Sequence, residues 1–112
     1  MPSREEIRAL IQWRTERLRS DDPYWLVLRH ALENKGIDPN RAILADLFRD
    51  DPSLQYGLLV TEHGRVIEFD FSWLHRAREQ GSFSTWQDIT DEWEHNPWCE
   101  RISCALEMLQ KG

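Results

Sequence analysis

The polar and apolar positions of this chain fall into blocks whose period changes along its length. Residues 4–19 carry apolar side chains at Ile7, Leu10, Ile11 and Leu18, a helical spacing. Ser3 to Glu6 ahead of them has the pattern of a capping box. Arg14 interrupts the stripe. Either its stem covers core while its head reaches solvent, or its guanidinium meets a carboxylate or a partner chain. Asp22-Pro23 opens a second helix, in which Tyr24, Val27, Leu28, Ala31 and Leu32 share a face flanked by Trp25, and Gly36 closes it. Asp38-Pro39 repeats the start signal and predicts a third helix to about Arg49, with Ile43, Leu44, Leu47 and Phe48 apolar. The turn Asp50-Asp51-Pro52-Ser53 ends it.

The period then changes to two. Segments 56–62 and 65–73 flank His63-Gly64 and predict an antiparallel hairpin with a two-residue loop. That loop pairs Val60 with Ile67, Leu58 with Phe69 and Tyr56 with Phe71 on one face. The other face, with Glu68 and Asp70, is mixed and partly solvated. A lone hairpin is marginal in water, so a third strand or a helical cover is required. Residues 72–80 predict a short helix stopped by Gly81. Phe83–Ile89 fits a strand through Phe83, Thr85, Trp86 and Ile89, although Trp86, Ile89 and Trp93 also satisfy a helical period; the strand is the preferred reading. Asn96-Pro97 opens a final helix with the stripe Trp98, Ile102, Ala105, Leu106 and Leu109, which assigns Trp98 to the core. The expected fold is α+β in one domain, 1–112: a helical N-terminal half of about three helices, a central hairpin with a short third strand, and a C-terminal helix packed on the sheet.

Composition narrows the class. At 112 residues, with 40% apolar and 30% charged side chains, the chain can bury roughly two-thirds of its unfolded surface. No apolar run exceeds the five residues 24–28, and the N-terminus lacks the apolar stretch of a secretion signal, so a cytoplasmic protein without a membrane span is expected. Cys99 and Cys104 lie roughly 140° apart around one helix, cannot bridge each other, and fit reduced thiols. The net charge of −6 is uneven: residues 1–50 are neutral overall, and the whole excess lies beyond them. Such a field repels phosphate backbones and opposes nucleic-acid binding, while it favours encounter with a cationic protein.

Candidate chemistry is sparse. The glycines form no phosphate-binding pattern, and no cofactor or metal signature is present; His95 and Cys99, with Pro97 between them, fall short of a zinc set. Cys99 near a helix start has Glu92, Glu94 and Glu100 around it, which disfavour a thiolate. Asp88, Asp91 and Glu92 have no cleft signature, and Thr90 can cap a short helix whose first turn favours acids. The richest segment is 83–100, with Trp86, Trp93 and Trp98 among five acids and no Lys or Arg. Indoles ringed by one sign of charge suit docking on a basic surface. The partner-binding residues expected are therefore Trp86, Asp88, Asp91, Glu92, Trp93 and Glu94.

In size, acidity and mixed helix and strand make-up, the chain resembles the small immunity proteins that block bacterial nuclease toxins. The resemblance implies an inhibitor that covers a basic partner's active site. Two other readings compete. In one, an adaptor homodimerises by pairing the acidic face with Arg4, Arg8, Arg14 and Arg17 of a second copy. In the other, a small-molecule pocket or enzyme site lies between helices and hairpin, lined by Arg14, Tyr56, Glu68 and Trp73.

Overall fold

The alternation of side chains in the central segment builds a four-stranded antiparallel sheet in the order β1-β2-β3-β4, with helices on both faces. The structure is a computed structural model describing residues 2–51, 54–73 and 82–111. Its elements are α1 (Arg4–Leu18), α2 (Pro23–Asn34), β1 (Ile43–Asp51), β2 (Leu54–Val60), β3 (Val66–Ser72), β4 (Ser82–Asp88), a 3-10 turn (Trp93–His95) and α3 (Cys99–Lys111). The fold is α+β, with the C-terminal helix against the sheet, as expected. No described helix is long and apolar enough to cross a membrane. The helix expected over 72–80 lies mostly outside the described residues.

The helix ends follow their sequence signals. Ser3 and Glu6 form the reciprocal capping box of α1. Asp22 caps α2 by accepting from the Tyr24 amide at 2.9 Å, with Pro23 at the first position. At its other end, the Gly36 amide donates to Glu33 O and the Ile37 amide to Leu32 O, a Schellman closure.

The third N-terminal helix does not form: residues 43–51 are β1, an edge strand. The Asp38-Pro39 signal ends in a turn, in which Asp38 accepts the Asn40 amide at 2.9 Å. A bulge between Leu44 and Asp46 sets Ala45 and Asp46 against Leu58. The inserted residue breaks strict alternation, so Ile43, Leu44, Leu47 and Phe48 imitate a helical period. The buried Thr15 hydroxyl of α1 accepts the Leu44 amide at 3.1 Å and satisfies that donor on the strand.

The hairpin forms with its register moved by one residue. Val60 pairs with Val66, Leu58 with Glu68 and Tyr56 with Asp70. The loop has three residues, Glu62-His63-Gly64: the Gly64 amide donates to Thr61 O, Gly64 adopts φ +77°, and the Thr61 amide donates to Arg65 O. The segment expected over Phe83–Ile89 forms β4, Ser82–Asp88, in agreement with the preferred strand reading.

Two apolar clusters flank the sheet. Ile7, Ile11, Ile43, Ala45, Leu58, Val60, Val66, Ile102 and Ala105 join the sheet to α1 and α3. Leu44, Leu47, Leu59, Ile67, Phe69 and Phe71 meet Trp25, Leu28 and Leu32 of α2 on the other side. Gly57 lies opposite Phe69, and the Phe69 ring occupies the space a side chain would need at Gly57.

Candidate acidic docking face

The bulge in β1 turns Asp46 inward on the side of α1 and α3. Its side chain is 0% exposed. Isolated burial of a carboxylate is costly unless counter-charges and hydrogen bonds surround it. Here Oδ1 accepts the Leu47 amide at 2.9 Å and lies 3.3 Å from Arg14 Nη1, while Oδ2 accepts Arg101 Nη1 at 2.5 Å. Burial pulls the Arg14 pKa down from its ordinary value, and Asp46 opposes that pull. The Arg101 guanidinium also lies 4.8 Å from the Trp98 ring centroid. Arg14 thus has an acid partner inside its own chain, one of the outcomes its place in the stripe allowed. Every charge in this triad is engaged, so it fastens two helices to the sheet and leaves no group free for chemistry.

Beside it lies a second polar cluster on the same side of the sheet. The Tyr56 hydroxyl donates to Glu68 Oε2 at 2.6 Å. The Asn96 amide, brought in by the turn after Trp93–His95, donates to the same oxygen at 3.0 Å and to the Tyr56 hydroxyl at 3.2 Å. Burial, reinforced by the hydrogen bond to Glu68, pushes the Tyr56 phenol above its ordinary pKa, so it stays a donor. Next to this cluster is an open basin of about 250 Å³ whose lining includes Glu68, Gln87, Glu92, His95 and Asn96. Helices α1 and α3 pack over β1 and β2. Beyond them β3 and β4 turn polar on this side: Glu68 and Asp70 are half-buried, and Thr85 and Gln87 are exposed.

The expected docking residues do not form one patch. Trp86 is half-buried on the α2 side of β4, with ring centroids 4.8 Å from Phe83 and 6.1 Å from Phe69, and with Lys35 Nζ 5.2 Å from its ring. Trp93 packs half-buried against the cluster of α1 and α3, on the opposite side. Asp88 is tied to its own chain. It accepts the Thr90 hydroxyl and amide on Oδ1, and Arg65 Nε at 3.0 Å and Nη2 at 2.7 Å on Oδ2. The Thr90 hydrogen bonds, followed by Arg65, hold its carboxyl below the usual range. Thr90 therefore serves Asp88 and the Val66 amide and caps no helix. Asp91, Glu92 and Glu94 are exposed and form no ion pair among the described residues.

Trp98, expected in the core, is 37% exposed. The helical stripe begins at Ile102, and Trp98 instead rests on the β1 edge, 5.3 Å between ring centroids from Phe48. It is the most exposed indole of segment 83–100. Asp46 and Asn96 were not singled out for chemistry by their sequence setting. An acid inside the apolar run 42–48 and an arginine inside an apolar helical stripe were two misfits, each explained by the other.

Arg4 lies 2.8 Å from Glu107 and 3.6 Å from Glu100, Arg8 lies 3.6 Å from Glu107, and Arg17 lies 3.9 Å from Asp22. The first helix therefore presents few uncommitted cations to a second copy. Tyr56 and Glu68 converge, but Arg14 turns to Asp46. Trp73 lies on the far side of the sheet, bonded to Gln55 at 2.5 Å and stacked on Tyr24 at 4.4 Å. A larger cavity of about 560 Å³ lies near Gln12, Arg19, Arg41, Glu62, Met108 and Leu109. Arg19 bonds the Pro39 and Ala42 carbonyls there, and Arg41 bonds Glu62, so its cations are already engaged. Cys99 and Cys104 are free thiols, and no described cluster of His, Cys, Asp and Glu has a metal-binding arrangement. No protein-family model matches the chain, and comparison with curated proteins and with solved structures yields no match.

Proposed function

We propose that this chain is a binding protein that docks on a basic protein, acting as an inhibitor of the immunity type in a bacterial cytoplasm. The observation that carries the reading is an asymmetry of pairing. Arg4, Arg8, Arg14, Arg17, Arg41, Arg65 and Arg101 all have acids of the same chain within ion-pair distance. Asp91, Glu92 and Glu94 have none among the described residues, they lie within four residues of one another in sequence, and Glu92 lines the Glu68 basin. Glu5, Asp21 and Glu33 also lack ion pairs but stand apart from one another, so among the described residues the unpaired acids are densest at 91–94.

Such a segment accelerates encounter with a cationic surface and orients it. A nuclease is a fitting target, because a cleft that binds phosphates is itself basic. Inhibition would follow from occlusion, with no chemistry required of this chain.

The test is affinity capture from the native host, followed by association kinetics with the captured partner at several ionic strengths. Charge reversal by Asp91→Lys with Glu92→Lys should slow association about tenfold at low salt and flatten its salt dependence. Thermal stability should hardly move, since both side chains are exposed and have no ion-pair partner among the described residues. An unchanged association rate would remove this segment from the interface.

A further inference from the structure

The part of the sheet that the described helices leave uncovered narrows this reading to a surface and a side-chain type. Antiparallel sheets commonly leave one face in water, and here the change occurs within a single face. Over β1 and β2 that face is sealed by apolar contacts with α1 and α3, whereas over β3 and β4 it carries Glu68, Asp70, Thr85 and Gln87. Tyr56 and Asn96 meet Glu68 on this side, and Glu92 shares its basin. No described Lys or Arg pairs with Glu68 or Asp70.

Glu68 differs from an ordinary surface carboxylate. Its Oε2 takes both the Tyr56 hydroxyl and the Asn96 amide, which fix the side chain, and its Oε1 has no hydrogen-bond partner among the described residues. A carboxylate oriented in advance loses less conformational freedom when it pairs. The basin beside it, about 250 Å³, has room for the head of a long side chain. Tyr56, half-buried and bonded to Glu68, is the aromatic ring beside this carboxylate. A planar guanidinium uses both a carboxylate and an aromatic neighbour, while an ammonium acts as a hydrated point charge. The molecule already shows this mode internally, with Arg101 engaging both Asp46 and the Trp98 ring.

We infer that the polar strip of β3 and β4 is the docking surface, and that the basic partner lays an arginine-bearing segment across it with one guanidinium on Glu68. This rests on the binding role proposed above and adds to it the place and the side chain.

The test uses nona-arginine and nona-lysine peptides as probes with the isotope-labelled full chain, read by NMR amide shifts and by titration at fixed low salt. Nona-arginine should bind about threefold tighter than nona-lysine and shift the amides of Glu68, Asp70, Thr85 and Gln87. Glu68→Gln should weaken nona-arginine about fivefold, while Glu94→Gln, which removes the same charge, should cost less than about twofold. Thr85→Arg, at an exposed position, should abolish the strip shifts with the fold intact and covers the case in which Glu68→Gln unfolds.

Equal losses from the two neutralised acids, or equal binding of the two peptides, would overturn the assignment of an arginine site. Shifts confined to 91–94 would remove the strip and leave the acidic docking role standing. Absence of shifts with either peptide would remove both. Concentration-dependent self-association through α1 would make a second copy the occupant and overturn the proposal.

Discussion

Asp46 Oδ2 and Arg101 Nη1 meet at 2.5 Å across 55 residues of chain, and the same carboxylate holds Arg14 through its other oxygen. Removing one member of a buried ionic set strands the others without counter-charge. Asp46→Ala should therefore lower stability by about 3–5 kcal/mol in urea unfolding. Replacing Asp46, Arg14 and Arg101 together with apolar residues of similar volume should cost much less. A loss below about 1 kcal/mol for Asp46→Ala would show that the triad contributes no more than an exposed pair.

The Phe69 ring lies where a β-carbon at Gly57 would fall, 2.2 Å from its Cζ. Phe69 is fully buried, so it cannot swing away into solvent. Gly57→Ala should destabilise by about 1–3 kcal/mol through overpacking, and adding Phe69→Leu should recover part of that loss. Additive losses in the double variant would count against the contact.

Tyr56 should resist ionisation. Burial and the hydrogen bond to Glu68 raise its pKa in the fold above the ordinary tyrosine value of about 10. A raised pKa contributes stability that is complete below the unfolded value and is lost as pH climbs towards the folded one. Ultraviolet titration of phenolate should show one of the two tyrosines lagging, and Tyr56→Phe should remove the lagging component. Two tyrosines titrating together in the folded protein would contradict the cluster.

Asp88 should titrate low, chiefly because of Thr90. Its depressed pKa contributes stability present above the ordinary carboxylate value and lost as pH falls through the folded one. NMR titration should place its midpoint higher in Thr90→Val than in Arg65→Gln, since the Thr90 hydrogen bonds are the larger cause. The reverse order would give the guanidinium the leading role.

The sequence signals that proved dependable were local ones. Ser3, Asp22-Pro23 and Gly36 marked helix ends through bonds that each end must make, whatever the tertiary context. The stripe Ile102, Ala105, Leu106 and Leu109 needs one apolar surface to lie on and finds the sheet. The misreadings came from single-residue insertions. The bulge at Ala45 disguised a strand as a helix, and one extra loop residue at Glu62 moved the whole hairpin register. Because strand period is two, a shift of one residue changes which side chains oppose each other across the pair. That is why Tyr56 came to lie on the same face as Glu68, with Asp70 opposite, and not with Phe71. The acidity of segment 83–100 was legible. Its division between opposite faces of the sheet was not, because β4 alternates while the turn after it does not.

One carboxylate serving two helices from distant parts of the sequence has a consequence for how the protein assembles. Asp46 in β1 has both of its counter-charges only when the first and the last helix have arrived. Intermediates lacking either one would hold a half-compensated ion in a forming interior. Such partial states are disfavoured, so consolidation of this side of the sheet should be late, collective and all-or-none.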